Sequence, residues 1–168
     1  MHYDMREGLV DLNSLIKSVL KMCGVLADSK KIKFNVDLSP YQSILLGDER
    51  AIKPMLLNLI SNGFKFTAEK GRVHVHVLWS DSGSILIKVR DTGIGIAENE
   101  IENVTGSFVQ ASARRYGKAA GTGLGRAIVK TFAKLHDAQF ALSSKIGVGT
   151  EASICFPASR FRKYCPAA

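Results

Sequence analysis

LLNLISNGFKFTAEKGRVHVHVLWSDSGSILIKVRDTGIG, residues Leu56–Gly95, is the stretch on which the fold turns. Its first part repeats apolar residues at helical spacing, whereas RVHVHVLW and SILIKVR alternate apolar with polar residues, the period of half-buried strands. Ser80–Ser84 between them carries the Asp, Ser and Gly of a hairpin turn. The stretch therefore reads as the end of a helix feeding a hairpin at the centre of a sheet. DTGIG then places a carboxylate, Asp91, and two glycines, Gly93 and Gly95, at the end of the second strand.

Asp48 is placed to cap the helix that runs to about Phe66, and Pro54 inside it removes one backbone donor, which predicts a local kink. Upstream, KIKFNVDL alternates Ile32, Phe34, Val36 and Leu38 as a strand. Before it, Asp11 caps a helix whose Leu12, Leu15, Ile16, Val19, Leu20 and Met22 recur at helical spacing. Downstream, residues 91–121 are glycine-rich and polar with a short helical stretch near Glu98–Val104, the length and composition of a functional lid. Thr122–His136 returns to a helical pattern, and QFALSS and EASICFP are strands around the turn Lys145–Gly149. Helices and an antiparallel-rich sheet in this order predict an α+β fold, a two-layer α/β sandwich with a mixed, mostly antiparallel sheet and one layer of helices.

The chain has 168 residues, 46% of them hydrophobic, enough for one sizeable core. Its formal net charge of +8 asks for an anionic partner, with nucleic acid, an acidic membrane surface and a polyphosphate nucleotide as the classes to weigh. Lys and Arg are scattered from Arg6 to Lys163 without a dense block, which argues against direct nucleic-acid binding. Cys23, Cys155 and Cys165 are odd in number and lack metal-ligand spacing, pointing to reduced thiols in a cytoplasmic compartment. No apolar run reaches the roughly 18 residues of a membrane span. A soluble, cytoplasmic chain is expected, compatible with a longer parent protein anchored in a membrane.

Three segments carry chemistry. Asn58 and Asn62, four residues apart, project from one helix face with Lys65 and Phe66 a turn further on. An amide oxygen is a neutral hard ligand suited to magnesium, Lys65 could neutralise phosphate and Phe66 could offer a ring to a base; equally, the asparagines could simply bridge helices. Asp91 can accept a hydrogen bond from an exocyclic amine such as that of adenine, while Gly93 and Gly95 let backbone approach a ligand closely. GTGLGRAIVK sets Gly121, Gly123 and Gly125 at a helix start, whose free N–H groups attract phosphate. Neither the Walker spacing nor a Rossmann fingerprint is matched.

In this order the segments resemble the asparagine box and the two glycine boxes of the fold shared by histidine kinases, DNA gyrase, a heat-shock chaperone family and a mismatch-repair ATPase, the Bergerat or GHKL group. SFVQ at Ser107–Gln110 resembles the phenylalanine box of bacterial sensor histidine kinases, and GVGTEASICFP their closing strand. The resemblance covers roughly Asp11 to Pro157. It implies ATP as substrate and Mg2+ as cofactor, with Asn62 on the metal, Asp91 on adenine directly and through a water, Thr150 supporting that water, and Gly121 to Gly125 along the phosphates. Asn58, Lys65, Phe66, Gly93, Gly95, Ile96, Gln110, Thr122 and Leu124 complete the implied ATP pocket. Where ATP-hydrolysing relatives carry a glutamate four residues before the metal-binding asparagine, this chain has Asn58, which cannot act as general base. The resemblance is thus to a kinase whose nucleophile, a histidine, lies on an upstream dimerisation domain and whose phosphoryl group passes to a response-regulator receiver domain. Only His2 precedes the first helix, so the chain reads as a fragment without a catalytic residue of its own. A homodimer is expected only for the full-length kinase.

On this reading residues 1–10 are the end of the dimerisation region or a linker, 11–157 the ATP-binding domain and 158–168 a tail. Thr105, Arg126, Asp137 and Ala138 depart from the family pattern. Gln110 stands where some relatives have a phosphate-contacting arginine, a role open to Arg114, Arg115 or Lys118. The lid is similar to that of kinases controlling the bacterial cell cycle. The rival reading is a degenerate domain that senses nucleotide or serves as a scaffold without phosphotransfer. His74 and His76 share one side of a strand, and with no third ligand apparent they read as a solvated face; His136 reads as a charged cap on its helix end.

Overall fold

The computed structural model describes residues 3–98, 101 and 124–161. The order of elements is β1 (Gly8–Asp11), α1 (Leu12–Ser29), β2 (Lys33–Asp37), β3 (Ile44–Gly47), α2 (Glu49–Phe66), β4 (Arg72–Trp79), β5 (Ile85–Asp91), α3 (Leu124–Leu135), β6 (Gln139–Lys145) and β7 (Gly149–Phe156). A short 3-10 turn follows at Ala158–Arg160.

The main sheet has the order β2-β4-β5-β7-β6, with β2 parallel to β4 and every other pair antiparallel. This is the mixed, mostly antiparallel sheet expected. The one parallel pair follows from connectivity, because α2 lies between β2 and β4 and a parallel neighbour needs such a crossover. The helices cover one face: Val73, Val75 and Val77 of β4 and Ile85, Ile87 and Val89 of β5 are buried in one apolar cluster with Ile16, Val19, Leu56, Ile60 and Val129 from the helices. Each such side chain is worth about 1.5–3 kcal/mol on burial.

Both expected caps are present. Asp11 Oδ1 accepts from Ser14 N at 3.1 Å, and Asp48 Oδ1 from Arg50 N at 3.0 Å. The Arg50 guanidinium also grips Asp48, donating from Nη2 to Oδ2 at 2.6 Å, and holds this buried carboxyl far below the usual carboxylate range. Helix α2 continues through Pro54 to Phe66 as a single element.

Three local expectations change. Met22 is exposed and Cys23 takes its place in the buried stripe of α1, because successive residues turn by about 100° and Cys23 lies midway between Val19 and Ala27, one turn from each, whereas Met22 falls at the edge of the stripe beyond Leu15. Ile32 is buried ahead of β2, which starts at Lys33. A second, two-stranded sheet of β1 and β3 also appears, paired from Gly8↔Gly47 to Asp11↔Ile44, where no strand was expected.

His136 is the fourth difference. It is fully buried, its Nε2 accepts from Asp48 N at 3.0 Å and its Nδ1 sits 2.7 Å from Phe132 O. Accepting at Nε2 puts the proton on Nδ1, so the ring is a neutral bridge between the end of α3 and the start of α2 and not a charged cap.

Candidate functional site

The residues singled out on α2, β5, α3 and β7 converge around one end of the sheet. Asn58 and Asn62 lie half-buried on α2, and Asn62 Nδ2 donates to Asn58 Oδ1 at 3.1 Å. That bond occupies the donor end of Asn62. Among the described residues no hydrogen bond reaches its Oδ1, which leaves a neutral, hard oxygen of the kind magnesium takes. Helix α3 starts beside it: a Cβ on Gly125 would overlap the Asn58 side-chain amide, so the asparagine and glycine segments touch only because residue 125 has no side chain.

The C-terminal end of α2 is anchored by a residue the sequence did not single out. Lys30, just past α1, donates from Nζ to the carbonyls of Phe64 at 3.1 Å, Lys65 at 2.6 Å and Thr67 at 3.0 Å. An ammonium on the carbonyls that a helix end leaves unpaired neutralises the negative end of its dipole. The Lys65 ammonium stands 5.4 Å from the centre of the Phe66 ring. Phe66 O accepts from Ile94 N at 3.3 Å, and a Cβ on Gly93 would collide with that same carbonyl. The DTGIG turn therefore lies directly on the end of α2.

Asp91 ends β5 and is buried, 8% exposed. Its Oδ1 accepts two backbone N–H groups, from Gly93 at 2.8 Å and Thr150 at 3.2 Å. Among the described residues no hydrogen bond falls on Oδ2. Burial pushes the Asp91 carboxyl above its ordinary value, and the Gly93 and Thr150 donors draw it part of the way back. The result is an oriented acceptor, with one oxygen fixed and the other open.

The far side of this turn is held by Ser144, a second residue missing from the sequence reading. Its Oγ accepts from Ile96 N at 2.8 Å, donates to Gly149 O at 2.9 Å and sits 2.7 Å from Thr150 Oγ1. Gly147 N adds a bond to Ile94 O at 2.9 Å. Gly95, at φ 70°, lies so close to Lys145 O that no side chain fits. Thr150 therefore serves Asp91 through its main chain, while its hydroxyl is engaged with Ser144. Of the other expected positions, Ile96 is buried beside this turn and α3 begins at Leu124. Gln110, Gly121, Thr122 and Gly123 lie outside the described residues, as do Thr105, Arg114, Arg115 and Lys118.

A family model described as histidine kinase-, DNA gyrase B-, and HSP90-like ATPase matches residues 47–160, which span α2 through the last strand. The chain belongs to this family. Two similar relatives within it are kinases. The chain is 32% identical over 155 residues to histidine protein kinase DivJ of Caulobacter vibrioides, which covers 92% of this chain and 26% of that protein. It is 34% identical over 165 residues to the cell-division control histidine kinase PdhS of Brucella abortus, covering 94% of this chain and 16% of that protein. The chain thus spans 26% or less of the length of these curated relatives.

Solved structures agree. A mycobacterial sensor histidine kinase, MprB, superposes with a TM-score of 0.76 at 26% identity, covering 90% of this chain and 97% of that one. Full-length ShkA, solved in complex with AMPPNP, gives a TM-score of 0.79 at 27% identity over 96% of this chain and 32% of that one. This member of the family is the catalytic, ATP-binding domain of the sensor-histidine-kinase type, with the α/β sandwich expected, and the degenerate reading is not favoured.

Proposed function

We propose that this domain binds Mg-ATP at the Asn62–Asp91 end of the sheet and presents the γ-phosphate to a histidine on a separate dimerisation domain, for relay to a receiver-domain aspartate. The observation that carries the reading is Asp91, a buried carboxylate with Oδ1 fixed by two backbone donors and Oδ2 open. An adenine amino group is the donor such an oxygen would take, and the buried setting strengthens the bond. Asn62 Oδ1 would hold Mg2+, which would supply charge neutralisation at the phosphates. Lys65 and the segment Gly121 to Gly125 would take the phosphate chain, and Phe66, Gly93, Gly95, Ile96 and Gln110 would line the pocket. Thr150 orients Asp91.

The chemistry asked of this domain is positioning and electrostatics. The imidazole nitrogen of the external histidine attacks the γ-phosphorus, the bond to the bridging oxygen breaks, and ADP leaves with the electron pair. Asn58 stands beside Asn62 where a carboxylate would be needed to deprotonate water, so transfer is favoured over hydrolysis. The test has two stages: titrate ATP with and without magnesium, then add the histidine-bearing domain of the same kinase with γ-labelled ATP. Magnesium-dependent binding, no stable label on this chain alone and label on the added domain are expected. Stable label on the isolated chain, or none on the added domain despite ATP binding, would overturn the assignment.

A further inference from the structure

The face of the sheet opposite the helices carries a cluster that the nucleotide site does not use. Val73, Val75 and Val77 of β4 are buried under the helices, so His74 and His76 point to the other face. Strand β2 runs parallel beside β4 with Asp37 in register with His76, which sets a carboxylate next to both rings. This is the third ligand that the strand sequence alone could not supply. Asp37 Oδ2 lies 2.8 Å from His74 Nε2 and 3.3 Å from His76 Nδ1, and the two ring centres are 3.5 Å apart. One ligand atom from each residue falls within 4.8 Å of the others.

We propose that Asp37, His74 and His76 form a three-ligand site for a borderline divalent transition cation, with Zn2+ as the reference ion. A zinc ion with bonds near 2.0–2.1 Å sets neighbouring ligand atoms roughly 3.3 Å apart, the spacing the His76–Asp37 pair already has. His74 needs only to release its hydrogen bond to Asp37 and turn toward the shared point. Two imidazoles and one carboxylate select zinc, copper or nickel over magnesium and calcium, which take oxygen ligands. The neighbouring Lys88 is drawn to Glu151 at 3.1 Å, which offsets its charge. All three side chains are at least partly exposed, so an ion can enter and a water can fill the fourth position. Among the described residues β2 is an edge strand bonded only to β4 in its sheet, and the ion would clamp that edge across the strand pair.

The test uses the full chain with reduced thiols, without nucleotide, in a non-coordinating buffer. Calorimetric titration with Zn2+ should show one site of micromolar affinity and a rise in the melting temperature. His74→Gln, His76→Gln and Asp37→Asn should each weaken it about tenfold or more, whereas Cys155→Ser should not change it. Excess magnesium should not compete. All three ligand positions are on the surface-facing side, and melting curves in chelator verify that each variant folds. No zinc binding by the folded wild type, or undiminished binding by the triple variant, would overturn the proposal.

Discussion

Gly149→Ala is expected to loosen the sheet and the nucleotide pocket together. Gly149 has φ 138°, a conformation essentially reserved for glycine, which costs a residue with a side chain about 1–3 kcal/mol. The added Cβ would be driven into the carbonyl oxygen of Asp91, with its carbonyl carbon at 2.9 Å and Thr92 Cα at 3.1 Å. Carbon atoms rest at roughly 3.5–4.0 Å, so β5 and β7 must separate by about half an ångström or more. The next N–H, that of Thr150, reaches Asp91 Oδ1 at 3.2 Å, already long, and the separation breaks it. A hydrogen bond to a charged acceptor is worth about 1.5–3 kcal/mol, but the same displacement relieves the clash, so the two effects overlap. A net loss of about 2–4 kcal/mol is expected, or about 5–15 °C in melting temperature for a domain of this size. With Asp91 no longer fixed, ATP affinity should also fall about tenfold in the fraction that folds. Gly24→Ala is the matched control: it lies within α1 with nothing near its Cβ direction and should stabilise by about 0.5–1 kcal/mol. Thermal unfolding followed by circular dichroism, with ATP titration, reads both effects. An unchanged melting temperature and ATP affinity for Gly149→Ala would refute the packing of Gly149 on Asp91.

Asn62→Ala should weaken Mg-ATP binding more than binding of metal-free adenosine; equal losses for the two would make Asn62 purely structural. Lys30→Met keeps the aliphatic stem but strips three carbonyls of their donor, and should cost about 1.5 kcal/mol or more in urea unfolding. A loss within the roughly 0.5 kcal/mol typical of surface substitutions would contradict the cap. Asp48 is more acidic folded than unfolded, chiefly through Arg50, so its stabilisation is complete above the unfolded value near 4 and lost as pH falls below it. The stability gap between wild type and Asp48→Asn should therefore be flat above about pH 5 and close in stronger acid. A gap that does not change with pH would exclude the Asp48–Arg50 pair as its source.

What was legible in the sequence was whatever repeats. The alternation of RVHVHVLW and SILIKVR, the stripe of α1 and the acidic caps Asp11 and Asp48 all express local periodicity or local hydrogen bonding, and all are present in the fold. Strands β1 and β3 were hidden because four residues each are too few for a period, and β3 owes its extended form to pairing with β1 about 36 residues away. Among the candidate site residues, Asn58, Asn62 and Asp91 could be singled out because their spacing lies within one helix or at one strand end. Lys30 and Ser144 were not, since each acts on backbone far away in sequence, and neither residue type marks such a role. The same holds for Asp37, whose relation to His74 and His76 exists only through the register of β2 against β4.

Isothermal titration of ATP and GTP into wild-type and Asp91→Asn chains tests the adenine assignment most directly. The Gly93 and Thr150 N–H groups both land on Oδ1, so the asparagine oxygen must stay there and its NH2 replaces Oδ2. That turns a donor toward the adenine amino group, itself a donor, whereas guanine offers a carbonyl at that place. ATP affinity is expected to fall by about 1.5–3 kcal/mol, roughly ten- to a hundredfold, with GTP binding far less affected and the fold retained. A well-folded Asp91→Asn chain that binds ATP as tightly as the wild type would contradict the placement of the adenine pocket at Asp91.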